Sequence, residues 1–208
     1  MAMPAHVILS PMADYHQIVI SPAWVPVFFR RRTVAEKALF VMSGLGVGVG
    51  LRHGSWDRRI APADQHPTFI LLRSLHACDF DPGAGLQPLA EYYQARGLSQ
   101  AGAMARAERR VHRYVSKYRA LRDAMQRDGY RSEAASDQIG VAIGRDGGFI
   151  KVSQGHHRFV LARVLGLDSV TADVRWIHSD WHRHATGRRK PTAESLMIAT
   201  QKALDQRL

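Results

Sequence analysis

The 208-residue sequence predicts an α+β protein with an α/β-like core: a small mixed sheet, helices packed on it, and an N-terminal helical and extended annex. Two patterns carry that prediction. The final third, from "IGVAIG" to "SVTADVRWI", runs strand, turn, strand, helix, strand, the order of a compact mixed layer. Residues 99–128 carry apolar side chains at three- and four-residue spacing, the period of one long helix. Hydrophobic residues at 46% and charged ones at 23% supply both a core and a solvated surface.

Up to about residue 29 the chain reads as extended pieces broken by Pro4, Pro11, Pro22 and Pro26. "TVAEKALFVM" reads as a helix opening at Thr33, with Glu36 placed for a capping box. In "GLGVGVG" glycine takes every second position from Gly44 to Gly50. The spacing departs from G-x-G-x-x-G and no long helix follows directly. Glycines on one strand face, where another backbone comes close, explain it better than a dinucleotide site. "RHGSWDRRI" reads as a polar and aromatic loop, and "HPTFILLRSLHACDF" as a helix entered at His66–Pro67. "DPGAG" reads as a breaker and "LQPLAEYYQARG" as a short helix ending at Gly97.

On the long helix, Met104, Val111, Tyr114, Val115, Tyr118, Leu121 and Met125 form the apolar stripe, and Gly129 is a natural stop. Arg106, Arg110, Arg113 and Lys117 form a basic stripe, read either as a solvated face or as an anion-binding surface. "IGVAIG" and "GFIKVS" are joined through "RDGG", a hairpin signal. The helix "GHHRFVLARVLG", closed by Gly166, and the strand "SVTADVRWI" follow, then an amphipathic helix over residues 192–207 behind the basic linker "TGRRKP". The expected organisation is an N-terminal extension, 1–98, packing on a core, 99–180, with a linker and C-terminal helix, 181–208.

The formal net charge of +11, from 29 Lys+Arg against 18 Asp+Glu, favours polyanionic partners: nucleic acid, nucleotides or acidic surfaces. The single cysteine, Cys78, excludes an internal disulfide and a Cys-based zinc cluster and fits a reducing compartment. No secretory signal pattern is present. The longest uncharged run, residues 38–51, is glycine-rich and shorter than the about 20 apolar residues that span a bilayer. A cytoplasmic protein without a membrane partner is the expectation.

One helix start is unusual. Such starts carry capping residues and acidic groups, because their free N–H groups attract negative charge. Here His156, His157 and Arg158 follow Gly155 instead. A turn of Ser153, Gln154 and Gly155 feeding exposed amides would bind phosphate. Arg158 would add a bidentate contact, and the histidines would donate hydrogen bonds or move a proton. A phosphotransferase also needs a base or a Mg²⁺-holding carboxylate. Asp57, in "GSWDRR" beside Trp56, Arg58 and Arg59, is the leading choice; the alternative is a turn with Trp56 packed on the core. Asp146 belongs to the hairpin turn, and Glu108 to arginine pairing on the long helix. In "HSDWHRH", a continuing strand would turn His178, Asp180, His182 and His184 one way as a metal site, and a helical turn would pair His178 with His182. An exposed tail is the simpler reading, and no metal is assigned.

The hairpin, "GHHR", the apolar helix, "LGLDSV" and the last strand resemble the ParB/sulfiredoxin superfamily, whose pattern is a strand, D-G-x-H-R or G-x-R-R, then "A…LG…V.V.V". "YRALRDAMQRDGY" resembles that superfamily's helix and glycine ahead of its central strands, so the likeness covers residues 118–177. It is closest to the D-G-H-H-R branch, which includes ADP- or ATP-dependent kinases acting on free serine. In the superfamily the box binds nucleotide phosphates, of ATP in sulfiredoxins and CTP in ParB proteins. The resemblance implies that Gly155, His156, His157 and Arg158 bind phosphate. It implies a nucleotide-dependent phosphotransferase or NTPase using ATP, ADP or CTP on a small hydroxylated substrate. With the reading of the residues given above, His156, His157 and Asp57 would be the catalytic groups, and Asp57 would hold Mg²⁺ or act as the base. Gln154 stands where that branch has an acid, so the acid does not carry over. Two alternatives stay open. One is a DNA-binding or nuclease protein of ParB type, favoured by the charge but lacking a helix-turn-helix after the core. The other is an inactive regulatory relative, favoured by Gln154. Sulfiredoxin chemistry would need a cysteine where His156 stands.

Overall fold

A computed structural model describes residues 7–8, 16–30, 50–132, 138–152 and 154–207. The chain divides into a sheet unit, residues 1–62, 132–156 and 168–208, and a helical unit, residues 63–131 and 157–167. Residues 99–180 contribute to both. The strands are β1 (Val7–Ile8), β2 (His16–Ile20), β3 (Val27–Phe29), β4 (Gly50–Arg52), β5 (Ile60–Pro62), β6 (Ile139–Ile143), β7 (Phe149–Lys151) and β8 (Val170–His178). The helices are α1 (Pro67–Ala77), α2 (Pro82–Gln94), α3 (Gln100–Asp128), α4 (His156–Val164), α5 (Ser179–Thr186) and α6 (Ala193–Asp205). The protein is therefore mixed α+β. Expectations for the Thr33 helix, for glycines 44–48 and for Ser153 fall outside the described residues.

In the sheet unit the strand order is β1-β2-β8-β6-β7-β3-β5, with β4 also beside β8. β6 runs parallel to β8, and β7 folds back on β6 across the "RDGG" turn, so that Val141 faces Lys151 and Ile143 faces Phe149. β6 is buried at every position, which is why it reads as an unbroken run of small and apolar residues. Between β6 and β8 the register shifts: Val141 faces Val174 but Ala142 faces Trp176, leaving Arg175 as the extra residue of a bulge.

The "HSDWHRH" segment is not an exposed tail. β8 ends at His178, whose Nδ1 accepts from the Asp180 amide at 3.0 Å and so caps α5. Because the backbone turns helical there, the four polar residues never line one strand face. Trp181 and His182 are buried: Trp181 Nε1 donates to Ala199 O at 2.9 Å, and His182 Nε2 meets Ser195 Oγ at 2.8 Å. α6 opens with a capping box of Thr192 and Ser195 and buries Leu196, Ala199, Ala203 and Leu204.

In the helical unit, α1 opens at His66–Pro67, and α3 runs from its cap Ser99 to Gly129. The buried face of α3 is offset from the expected stripe. Ala103, Ala107, Val111, Tyr114, Tyr118, Arg122 and Met125 are buried, while Met104, Val115 and Leu121 are half-exposed. Arg122 joins that face because its guanidinium lies 4.9 Å from the Phe80 ring centre and bonds Asp79 at 2.8 Å. "DPGAG" starts α2 rather than breaking the chain: Asp81 caps the helix and Pro82 takes its first position. The break lies just before, where Asp79 and Phe80 adopt φ of 46° and 60°. Gly85 stands where a Cβ would come 2.6 Å from Leu71 Cδ1, so glycine lets α1 and α2 approach. Among the described residues no helix is long and apolar enough to cross a membrane.

Candidate functional site

The turn before α4 is held from below by a buried lysine. Lys151 Nζ donates to Gly140 O at 3.1 Å, to Val152 O at 2.7 Å and to Gln154 O. Three carbonyls replace the water that a buried ammonium loses. Gln154 and Gly155 then take positive φ, 66° and 55°. A Cβ on Gly155 would lie 2.7 Å from Ile139 Cα, so only glycine passes there. Gln154 is exposed, and its Oε1 accepts from Arg175 at 2.6 Å; the same guanidinium nitrogen pairs with Asp173 at 2.7 Å. Gln154 thus anchors a cation. Burial pushes the Asp173 carboxyl above its ordinary range, with Arg175 offsetting this only in part.

α4 begins at His156 and has no acidic residue in its first turn. In the sheet unit, His156 packs on Phe28, ring centres 4.8 Å apart. In the helical unit, His157 stacks on Tyr118 at 4.6 Å and its Nε2 meets Tyr114 Oη at 2.8 Å. Arg158 is half-buried. The two histidines engage different aromatic rings, each within its own unit.

His157 leads to a basic pocket in the helical unit. An open cavity of about 430 Å³ is lined by Arg106, Arg109, Arg110 and Arg113 of α3 with Tyr93 and Tyr114. Spaced at 106, 109, 110 and 113, these arginines share one helix face. Arg110 is the fixed member: it donates to Tyr93 Oη at 3.1 Å, Thr68 Oγ1 at 3.0 Å and Tyr114 Oη at 3.2 Å. Burial pulls its pKa down, but the contacts with Tyr114 and Tyr93 outweigh this and leave it raised, so it stays charged. With its oxygen accepting from Arg110, Tyr114 can direct its hydroxyl hydrogen to His157 Nε2. Among the described residues no carboxylate lines the cavity. A half-buried cation solvated by neutral hydroxyls, among like charges, is short of an anion. Arg106 lies over Tyr93 at 4.8 Å; the exposed side chains of Arg109 and Arg113 have no ion pair among the described residues. Beside the network, His66 caps α1 by accepting from Thr68 N at 3.2 Å. Burial, then the charges of Arg110, His157 and Arg96, pulls its pKa to about 4, so the ring is neutral.

Asp57 lies in the sheet unit, in a 3-10 turn over Trp56–Arg58, and is buried. Arg145 reaches it through Nε at 2.8 Å, Nη2 at 2.7 Å and the backbone amide at 3.1 Å. His178 Nε2, 3.7 Å away, is also 2.8 Å from Gly54 O. Because His178 Nδ1 accepts from Asp180, its proton sits on Nε2 and points to that carbonyl. Burial raises the Asp57 carboxyl, yet the Arg145 hydrogen bonds and charge outweigh it and hold it below its ordinary range. Trp56 packs edge-on against Phe29 and Trp176 at 6.3 and 6.0 Å. The geometry is that of the packed turn, with both carboxylate oxygens committed to Arg145. Asp146 accepts from Gly148 N at 3.0 Å within the hairpin turn, and Glu108 is exposed on α3.

Of the sequence-derived residues, the basic stripe contributes Arg106, Arg110 and Arg113 to the cavity, and His157 borders it through Tyr114. Arg109, Tyr93, Thr68 and His66 carried no signal that joined them to it. Among the described residues, no three His, Cys, Asp or Glu side chains gather as a metal site. In comparisons with family models, curated proteins and solved structures, nothing matches this chain.

Proposed function

We propose that the protein binds a nucleotide and acts on its phosphates as a phosphotransferase, with the arginine–tyrosine pocket of the helical unit as its phosphate subsite. One observation carries this reading: among the described residues, four guanidinium groups and two phenols line a cavity with no carboxylate. Phosphoryl transfer depends on positioning and on neutralising charge over the phosphoryl oxygens, which is what such a lining supplies. Tyr114 and His157, hydrogen-bonded at 2.8 Å, are the pair through which a proton would move from a small hydroxylated acceptor. The likeness of "GHHR" to the nucleotide-binding box of the ParB/sulfiredoxin superfamily supports the same ligand class. Asp57 is left out of the reaction because Arg145 occupies it.

Titration calorimetry with ATP, ADP and CTP tests this. At least one should bind with Kd below about 1 mM, and Arg110→Ala should weaken it at least about tenfold. Absence of binding by all three, or binding indifferent to Arg110→Ala, would remove the reading. A second reading, duplex DNA binding, is favoured by the exposed run of Arg109, Arg113 and Lys117 along α3. It requires affinity for duplex DNA that falls steeply with salt.

A further inference from the structure

The sheet unit holds a second cavity of different chemistry. It encloses about 350 Å³, and Val27, Ile60, Phe149 and Ile150 give it apolar walls. Ile60 is one of two large apolar side chains left exposed among the described residues, at 38%. The Asp57–Arg145 pair lines it with its charges matched, and Asp146 is engaged with the Gly148 amide. Arg58 and Arg207 line it too; both are exposed, and neither side chain has a hydrogen bond or ion pair among the described residues.

Charge then decides the ligand class. Among the described residues of the lining, three arginines against two aspartates leave one positive charge over, which a monoanion matches. A phosphate dianion would face both carboxylates and overshoot. Apolar walls with a few convergent charged groups describe a small-molecule site, and a guanidinium fits a carboxylate in a planar, two-point contact. We propose that this cavity binds a small organic acid, its carboxylate held by Arg58 and Arg207 and its hydrocarbon body lying on Val27, Ile60, Phe149 and Ile150. The proposal stands independently of the nucleotide reading.

The test is an NMR titration of the full chain with 3-phenylpropanoate, set beside 3-phenylpropanamide, which keeps the body without the charge, and acetate, which keeps the charge without the body. Saturable shifts at Gly144, Gly148 and Ile60 are expected for the acid, with Kd near about 1 mM and both controls at least about tenfold weaker. Arg58 and Arg207 are exposed, so Arg58→Ala/Arg207→Ala should preserve the remaining spectrum and weaken the acid at least about tenfold. The proposal falls if the acid does not saturate, if either control matches it, or if the double variant binds it unchanged. Tighter binding of phenyl phosphate would overturn the monoanion assignment.

Discussion

Arg145 in the sheet unit and Arg110 in the helical unit carry the same cation into partly buried surroundings, and each is balanced differently. Arg145 meets the Asp57 carboxylate at 2.7 and 2.8 Å. Arg110 meets two phenols and a threonine hydroxyl, all neutral. The first is a closed pair whose worth lies in holding the Trp56–Arg58 turn. The second is solvated but not neutralised, and its neighbours on α3 add charge of the same sign. Burial of an arginine therefore does not mark a site; the chemistry of its partner does.

The largest effect expected from this contrast is on stability. Asp57→Ala leaves Arg145 without its carboxylate and should cost about 3 kcal/mol, the low end for a broken buried pair because Arg145 is 32% exposed. Urea denaturation measures it; a loss below about 1 kcal/mol would mean the pair does not hold the turn. Tyr114→Phe removes the oxygen shared by Arg110 and His157 and should cost about 1–2 kcal/mol, while also weakening nucleotide binding.

Acidification separates the two regions. The unfolded chain protonates His66 near 6.5 and the folded chain near 4, so stability falls as pH drops through that window and this loss is complete below about 4. Protonation also removes the Nδ1 acceptor that caps α1. Partial exposure limits the loss to about 1–2 kcal/mol. Comparing the native protein with His66→Asn, which keeps an N-cap acceptor, isolates it in denaturation curves at pH 7 and 5. The Asp57 contribution has the opposite origin. Its folded pKa lies below 3.8, so that stability is present above this value and lost as pH falls through the lower folded pKa. The smallest effect is the sharpest contrast: Arg110→Met should change stability by less than about 1 kcal/mol, because the hydroxyls around it can bond one another, yet should abolish nucleotide binding.

Much of the fold is legible in the sequence where the signal is local. α3 shows in its periodicity and its caps Ser99 and Gly129, the β6–β7 hairpin in "RDGG", and α4 in an apolar run after glycine. The errors have physical causes. Proline followed by glycine reads as a breaker, but proline is equally the first residue of a helix, as Pro82 is. The buried face of α3 departs from its apolar stripe because Arg122 counts as polar in sequence while its guanidinium lies over Phe80. In "HSDWHRH", Trp181 and His182 are buried against Ala199 and Ser195, 18 and 13 residues further on. The site was harder still. Arg145 and Asp57 are 88 residues apart, and Arg110 and Thr68 are 42 apart. Nothing in either stretch announces the other, so an arginine with a carboxylate and one without look alike in sequence.

A crystal soaked with the γ-thiophosphate analogue of ATP tests the central claim most directly, because sulfur marks the phosphate chain by its anomalous signal. The account predicts that peak within hydrogen-bonding reach of the Arg106–Arg113 guanidinium groups, beside Tyr114. A peak at the Asp57–Arg145 pair, or no ordered ligand at concentrations that saturate binding in solution, would contradict it.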